Sequence, residues 1–207
     1  MSKLDTLSQC TETNDSIATV KVRYALEILK NETIKLVVLL AIFFLLKCFW
    51  AFLFALIMLL PLRSFSGGMH MKTNIGCFTY SLAFFFISIK LLPLLSIAIW
   101  QLISFLIASV LTIAVLSPVA SFKRPIRTEK RRISLKTKTW ICLAAESAIL
   151  IVLLEAALKD YFVIGVWVVT LQAIQLFATW AYRKVKGDQN DKETERTEFF
   201  TDGSGRD

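Results

Sequence analysis

Long apolar stretches separated by short polar segments dominate this chain. They cover residues 36–60, 80–116, 140–158 and 161–182. A helix needs about 20 residues to cross a bilayer, so the second stretch is too long for one crossing. Lys90 and Pro93 lie inside it, where a hairpin would turn. Lys47 interrupts the first stretch, which is either one tilted helix or two short arms that fold back.

The pattern predicts an all-α, polytopic integral membrane protein with about six membrane-embedded helical segments. Of the 207 residues, 56% are hydrophobic, and the mean hydropathy is +0.61. These values exclude a disordered chain and disfavour a soluble domain. We divide the chain into a cytosolic N-terminal arm (1–33), a membrane domain (34–186) and a charged, disordered tail (187–207). Residues 17–30 have the spacing of an amphipathic helix, which lies on the membrane surface or packs against the protein.

Almost all of the net charge of +8 lies in one segment, because residues 117–139 hold eight basic residues against one acid, Glu129. Such loops usually face the cytoplasm. If residues 80–116 and 140–182 are both hairpins, the polar segment 63–79 shares that side. The basic residues of the N-terminal arm favour a first stretch that folds back. Anionic lipid is an expected partner of the basic loop. Nucleic acid is not, since no interleaved aromatic residues accompany the loop.

The polar segment 63–79 carries the candidate chemistry. It holds the only histidine of the sequence, His70, and Cys77 seven positions later. A thiol nucleophile with an imidazole base is the minimal apparatus for covalent acyl transfer. For an arbitrary pair of this kind, the better interpretation is an interfacial histidine and a small apolar cysteine. The four cysteines lie far apart and form no CxxC pair, which argues against a disulfide framework and against a zinc site.

Joint action of His70 and Cys77 requires a break in the helical backbone between them. Seven residues of a continuous helix rise about 10.5 Å, which is too far for a hydrogen bond between the two side chains. Poor helix formers occupy the intervening positions Thr73, Asn74 and Gly76. The pair Gly67-Gly68 permits a tight turn before them. A helix that begins near Cys77 would place the thiol at a helix N-terminus, where a thiolate is favoured.

The pattern R-x3-GG-x-H-x6-C in this segment resembles that of the accessory gene regulator B (AgrB) family. Its residues are Arg63, Gly67, Gly68, His70 and Cys77. Members of that family are integral-membrane cysteine endopeptidases that process the propeptide of a bacterial quorum-sensing signal. Residues 117–126 resemble the proline-containing basic loop of the family. The resemblance extends to about residue 185. Met69 and Met71 stand where small residues are common in the family.

The resemblance implies that Cys77 is the nucleophile and His70 the general base of a multi-pass endopeptidase in the bacterial cell membrane, with no metal and no organic cofactor. The substrate would be a short, AgrD-like propeptide with an amphipathic leader, a central signal segment and an acidic tail. Attack of Cys77 on the carbonyl before that tail gives a thioester. A cysteine of the same peptide would then capture the thioester as a macrocyclic thiolactone. The resemblance is also compatible with a homodimer.

Further residues are candidates for substrate binding or support of the site: Arg63, Gly67, Gly68, Lys72, Asn74, Lys123 and Arg124. The two cationic side chains of the polar segment, Arg63 and Lys72, bring positive charge that favours a thiolate. Asn74 would orient the imidazole. The basic loop, with Lys123 and Arg124, would attract an acidic substrate tail. Membrane orientation alone also explains that loop and is the favoured interpretation.

The alternative function is non-enzymatic: a small transporter or peptide-export subunit in which His70 lines a pathway together with Lys47 or Lys90. Polar side chains within the apolar stretches have simpler explanations. Two carboxylates would form ion pairs with those lysines, and two glutamines would hydrogen-bond between helices; they are Glu146, Glu155, Gln172 and Gln175.

Overall fold

The computed structural model describes residues 23, 26, 30–67, 73–119 and 128–202, with side chains as far as residue 185 except that of Asn74. Six helices follow one another: α1 (residues 30–45), α2 (Phe49–Ser66), α3 (Asn74–Phe86), α4 (Ile99–Leu116), α5 (Glu129–Glu155) and α6 (Lys159–Asp202). The described residues form no β-strand apart from one isolated bridge. The predicted all-α class is confirmed.

Five described segments are long and apolar enough to cross a membrane: Phe49–Ser66, Ile75–Leu94, Ile99–Leu116, Glu129–Glu155 and Lys159–Val185. The described part of α1 covers 16 residues and rises about 24 Å, less than the hydrocarbon core of about 30 Å. The chain is therefore a membrane protein with five such helices in its described part, close to the predicted six. The predicted division into arm, membrane domain and tail stays a prediction. Most of the arm lies outside the described residues, and the backbone of α6 is helical to Asp202.

The first apolar stretch is broken at Lys47, which has a left-handed backbone with φ of +57°. Its N–H donates to the Phe44 carbonyl, and the Cys48 N–H donates to the Phe43 carbonyl, each at 3.0 Å. These bonds satisfy carbonyls that a helix end otherwise leaves without a partner. Of the two alternatives for this stretch, one continuous tilted helix is therefore wrong, since α1 ends here and α2 begins at Phe49.

The same kind of turn ends α5. Ala157 has a φ of +56°, and the Leu158 N–H donates to the Leu153 carbonyl at 3.0 Å. The sequence predicted the break at Lys159 and Asp160. Those two residues instead form the first turn of α6, where an acidic residue complements the helix dipole.

The predicted turn near Lys90 and Pro93 is present. A π-helical segment (Ile87–Leu91) follows α3 and contains Lys90, and a 3-10 turn (Leu92–Leu94) follows with Pro93 inside it. The backbone then becomes extended at Leu95 before α4 begins. Proline cannot donate the hydrogen bond that would continue the helix. This explains why the long apolar stretch is divided into two spanning segments.

Contacts divide the chain into two compact units, Met1–Phe49 and Trp50–Asp207. Within the second unit, α6 is the central helix and packs against α4 and α5. Gly165 of α6 faces the Leu150 side chain of α5, where a Cβ atom would overlap it, so glycine permits a close approach of the helices. Ser109 Oγ of α4 donates to Thr170 Oγ1 of α6 at 3.1 Å. Ring contacts join α2 to its neighbours through the pairs Phe52–Phe85 and Phe54–Tyr161.

Candidate active site at the start of helix α3

Cys77 lies in the first turn of α3. The preceding residue Thr73 caps this helix with an extended backbone (φ −107°, ψ 148°), and its Oγ1 accepts the Gly76 N–H at 3.1 Å. The Cys77 N–H donates to the Thr73 carbonyl at 3.1 Å. The thiol is free and half-buried. The N-terminal end of a helix carries a partial positive charge, and the thiol lies one turn from that end.

Thr73 also interrupts any continuous helix between residues 70 and 77, because its backbone is extended. The axial separation of about 10.5 Å that a straight helix would impose therefore does not apply. Three residues of chain span at most about 11 Å, so chain length alone does not prevent residue 70 from approaching the first turn of α3. Gly68, His70 and Lys72 lie outside the described residues, so the pairing of His70 with Cys77 stays a prediction.

The other side of that gap is held by Gly67, at the end of α2. Its φ is +87°, and it forms an isolated parallel bridge with Val119. The Val119 N–H donates to the Ser66 carbonyl at 3.0 Å. A Cβ atom on Gly67 would overlap the Val119 carbonyl oxygen. Glycine is thus required here twice, by its backbone conformation and by the close approach of a second chain segment.

Gln172 of α6 completes this contact. Its side chain has no exposed surface, and its Nε2 donates to Ser66 Oγ at 3.2 Å and to the Gly67 carbonyl at 3.1 Å. We call Ser66, Gly67, Val119 and Gln172 the Gly67 junction. The expectation that Gln172 bonds between helices is confirmed. For Gln175, neither side-chain polar atom has a hydrogen-bond partner in the part of the chain that the structure describes.

The basic segment lies at the same end of the bundle as the Gly67 junction. Lys138 Nζ of α5 sits 5.8 Å from the ring centroid of Phe65 in the last turn of α2. Ser117 Oγ, two residues before Val119, donates to Thr139 Oγ1 at 3.0 Å. The basic first part of α5, from Glu129 to Lys138, thereby ends beside the last turn of α2. Lys123 and Arg124 lie outside the described residues.

Arg63 connects the end of α2 with α3. Its half-buried side chain acts electrostatically on Tyr80, which follows Cys77 by three residues and so shares its face of α3. The Arg63 carbonyl accepts the Gly67 N–H at 3.2 Å. Whether Arg63 and Lys72 favour a thiolate at Cys77 stays a prediction. Asn74 is the first residue of α3, and whether it orients His70 stays a prediction.

The remaining polar groups form no second site of this kind. Cys142 Sγ donates to Glu146 Oε1 at 3.3 Å, and Glu146 Oε2 has no partner among the described residues. Lys35–Glu32 and Arg132–Glu129 form ion pairs among the described side chains, and Glu146 forms none there with Lys90. The described residues also contain no group of three or more His, Cys, Asp or Glu side chains suited to a metal ion.

Sequence reasoning missed two contributors to the site. Thr73 was noted as a poor helix former, although a threonine directly before a helical segment is also the signal for an N-cap. No residue type or spacing in the sequence indicated a role for Val119, because its contact with Gly67 uses backbone atoms of residues that are distant in the sequence. Thr73 acts through its side-chain Oγ1 and Val119 through its backbone, but both bond to backbone groups of other residues, which single-residue chemistry does not reveal.

The fold and this site define an all-α membrane protein with a free cysteine at the start of a membrane-embedded helix. The family model of Accessory gene regulator B, AgrB, matches residues 3–176, and the chain belongs to this family. An AgrB-like protein of Clostridium beijerinckii is 31% identical over 112 residues, which are 53% of this chain and 55% of that protein. The chain thus spans about half the length of that relative. No solved structure matches this chain. Membership of the family supports a role in the agr quorum-sensing system.

Proposed function

We propose that this chain is a multi-pass cysteine endopeptidase of the bacterial cell membrane that cleaves a short, AgrD-like propeptide through a thioester on Cys77. His70 is the general base. The observation that carries the proposal is the extended Thr73 at the start of α3. It gives Cys77 a first-turn position and ends the helical backbone that would otherwise separate the thiol from the imidazole.

The first half of the reaction is an acyl transfer. His70 accepts the thiol proton, and Cys77 Sγ forms a bond to the carbonyl carbon that precedes the acidic tail of the propeptide. The peptide C–N bond breaks, and the proton passes from His70 to the leaving amine. The products are a free tail and the N-terminal part of the propeptide, bound as a thioester.

The second half returns the enzyme to its starting state. A cysteine within the bound peptide attacks the thioester carbonyl, a new C–S bond forms, and Cys77 leaves as the thiol with the proton of the attacking cysteine. The released product is a macrocyclic thiolactone. Exchange of one thioester for another conserves the activated acyl bond, whereas water would hydrolyse it. A site at the edge of apolar helices limits water and so favours the exchange.

The start of α3 also suits the charge that develops during the attack. A tetrahedral intermediate places negative charge on the former carbonyl oxygen, and oriented N–H groups stabilise such an oxygen. The first turn of a helix has backbone N–H groups without intrahelical partners; in α3 those of Gly76 and Cys77 bond to Thr73, so the N–H groups of Asn74 and Ile75 would serve. Arg63, whose charge reaches Tyr80 on the same face of α3, adds a positive potential.

The distribution of positive charge indicates on which side of the membrane the site lies. Cytoplasmic loops are rich in Lys and Arg, and the basic first part of α5 ends at Lys138, which lies 5.8 Å from the Phe65 ring in the last turn of α2. We therefore place residues 63–79 and the site on the cytoplasmic side, where a newly made propeptide is available.

Co-expression with the propeptide tests the proposal. Cys77→Ser and His70→Ala should each abolish the shortened peptide seen by mass spectrometry, because one removes the nucleophile and the other its base. Serine at Cys10, Cys48 and Cys142 together should leave most of the cleavage intact. Undiminished cleavage by the Cys77→Ser variant would refute the peptidase function.

A further inference from the structure

Gln172 is a fully buried amide in the middle of an apolar helix that makes its hydrogen bonds with a single place. Both are donated by Nε2 to the end of α2, at Ser66 Oγ and at the Gly67 carbonyl, and the Oε1 atom has no partner among the described residues. Burial of an amide in an apolar environment is costly unless it is hydrogen-bonded. An apolar side chain at this position would avoid that cost, so the contact itself calls for an explanation.

The contact satisfies a helix end that would otherwise be incomplete. The last carbonyl groups of a helix have no intrahelical donors. Here the Val119 N–H donates to the Ser66 carbonyl, and Gln172 Nε2 donates to the Gly67 carbonyl. Two different segments of the chain therefore hold two consecutive carbonyls. The backbone is thus held up to Gly67, and His70 follows Gly67 by three residues in the sequence.

We infer that Gln172 is a positioning residue, which holds the Ser66–Gly67 backbone and thereby sets the His70 imidazole relative to Cys77. This inference rests on the proposed cysteine peptidase function. Gln172 touches neither the substrate nor the reacting atoms; it acts through the peptide segment that begins at Gly67. Its loss should impair the chemical step and leave substrate binding largely intact.

Gln175 provides a matched control on the same helix. It lies one turn further along α6 and is 3% exposed, close to the complete burial of Gln172. Neither side-chain polar atom of Gln175 has a partner among the described residues, so it makes no comparable contact with α2. Methionine is unbranched and apolar, similar in length to glutamine, and adapts readily to buried sites. Gln172→Met and Gln175→Met therefore make the same chemical change at two sites that differ in their contact with Gly67.

The first measurement is propeptide cleavage by full-length protein in detergent micelles. Gln172→Met should lower kcat about 10- to 100-fold, the size of effect expected when a catalytic group is misplaced by about 1 Å. KM should change little, because uniform binding is not affected. Gln175→Met should retain the wild-type kcat. Ser66→Ala removes one acceptor of Gln172 and the Oγ that donates to the Gly67 carbonyl at 3.3 Å, while Gln172 itself still donates to that carbonyl, so a smaller loss of kcat is expected. Equal kcat values for the two glutamine variants would overturn the inference, as would a change confined to KM.

The second measurement needs no propeptide. In a variant with serine at Cys10, Cys48 and Cys142, the rate of Cys77 alkylation by iodoacetamide reports its activation by the imidazole. Gln172→Met should slow this alkylation, and Gln175→Met should not. In a His70→Ala background, Gln172→Met should have no additional effect, because residues that act through one another are not additive.

These two measurements separate the inference from the function on which it rests. If the wild-type chain cleaves no propeptide, the peptidase function fails, and the alkylation rates still decide the positioning role. If cleavage is normal and Gln172→Met alkylates like the wild type, the positioning role fails and the peptidase function stands. A further slowing of alkylation by Gln172→Met without His70 would mean a general structural role and would also overturn the inference.

Discussion

The two chain ends that border residues 68–72 have opposite surroundings. At the end of α2, Ser66 has no exposed surface, and the Gly67 junction holds its backbone from two sides. At the start of α3, Thr73 is exposed, Ile75 is 79% exposed and Cys77 is half-buried. One end is fixed within the bundle, and the other is open to a ligand.

This difference matches the requirements of a nucleophilic site. A thiol must be accessible to the carbonyl that it attacks, whereas the base must be held at a defined distance and angle from the thiol. The open end carries Cys77. The fixed end is the start of the segment that carries His70. The following predictions test whether the two ends contribute in these different ways.

Gly67→Ala should have the largest effect of the substitutions described in the Discussion. A left-handed backbone costs a residue with a Cβ atom about 1–2 kcal/mol, and the new methyl group would overlap the Val119 carbonyl. We expect a loss of roughly 3 kcal/mol in the free energy of unfolding and about 100-fold slower cleavage. Thermal unfolding in detergent micelles and propeptide cleavage measure the two effects.

Gly165→Ala is the control for this substitution. It also introduces a methyl group into a close contact, but the neighbour is the flexible end of the Leu150 side chain rather than a backbone atom. The helix should therefore adapt, with a smaller loss of thermal stability and near-normal cleavage. A Gly67→Ala variant as stable and active as Gly165→Ala would show that the end of α2 is not held as described.

Thr73→Ala should have an intermediate effect at the open end. It removes the acceptor of the Gly76 N–H, a change that typically costs about 1 kcal/mol, and it loosens the first turn of α3. Cleavage should slow by about tenfold, with a small decrease in thermal stability. Thr73→Ser keeps the hydroxyl group and should retain activity. If Thr73→Ser lost as much activity as Thr73→Ala, the cap would not be the reason for the effect.

Glu146→Gln should have the smallest effect, since Glu146 belongs to neither end. Its Oε1 accepts from Cys142 Sγ, and a neutral amide of the same shape still offers that acceptor. Cleavage and thermal stability should both remain close to wild type. A severe loss of cleavage with normal stability would extend the catalytic machinery into the core of the bundle and would weaken the distinction between the two ends.

The sequence predicted those helix boundaries that depend on the length of an apolar stretch and on the position of a proline. The long stretch 80–116 had to turn, and Pro93 marks the place. The end of α1 was predicted as one of two alternatives, because Lys47 interrupts the first apolar stretch. The end of α5 was harder to predict, because Ala157 adopts a left-handed backbone that is usually the place of glycine. That turn is stabilised by backbone hydrogen bonds, which leave no side-chain signal in the sequence.

The candidate site was predictable at its open end and not at its fixed end. Poor helix formers before Cys77 indicated a helix that begins there, and α3 begins at Asn74. The partners of Gly67 could not be identified, because Val119 and Gln172 are distant in the sequence and meet Gly67 through backbone atoms and one buried amide. Such contacts depend on how helices pack, which residue types and spacing do not define.

The central claim is that Cys77 forms a thioester with the N-terminal part of the propeptide. A propeptide whose internal cysteine is replaced by alanine cannot form the thiolactone, so the thioester should accumulate. Proteolysis and mass spectrometry should find the N-terminal fragment attached to Cys77, and the adduct should require His70 and disappear on treatment with hydroxylamine. Release of the acidic tail with no adduct on Cys77, or its release by the Cys77→Ser variant, would contradict the account.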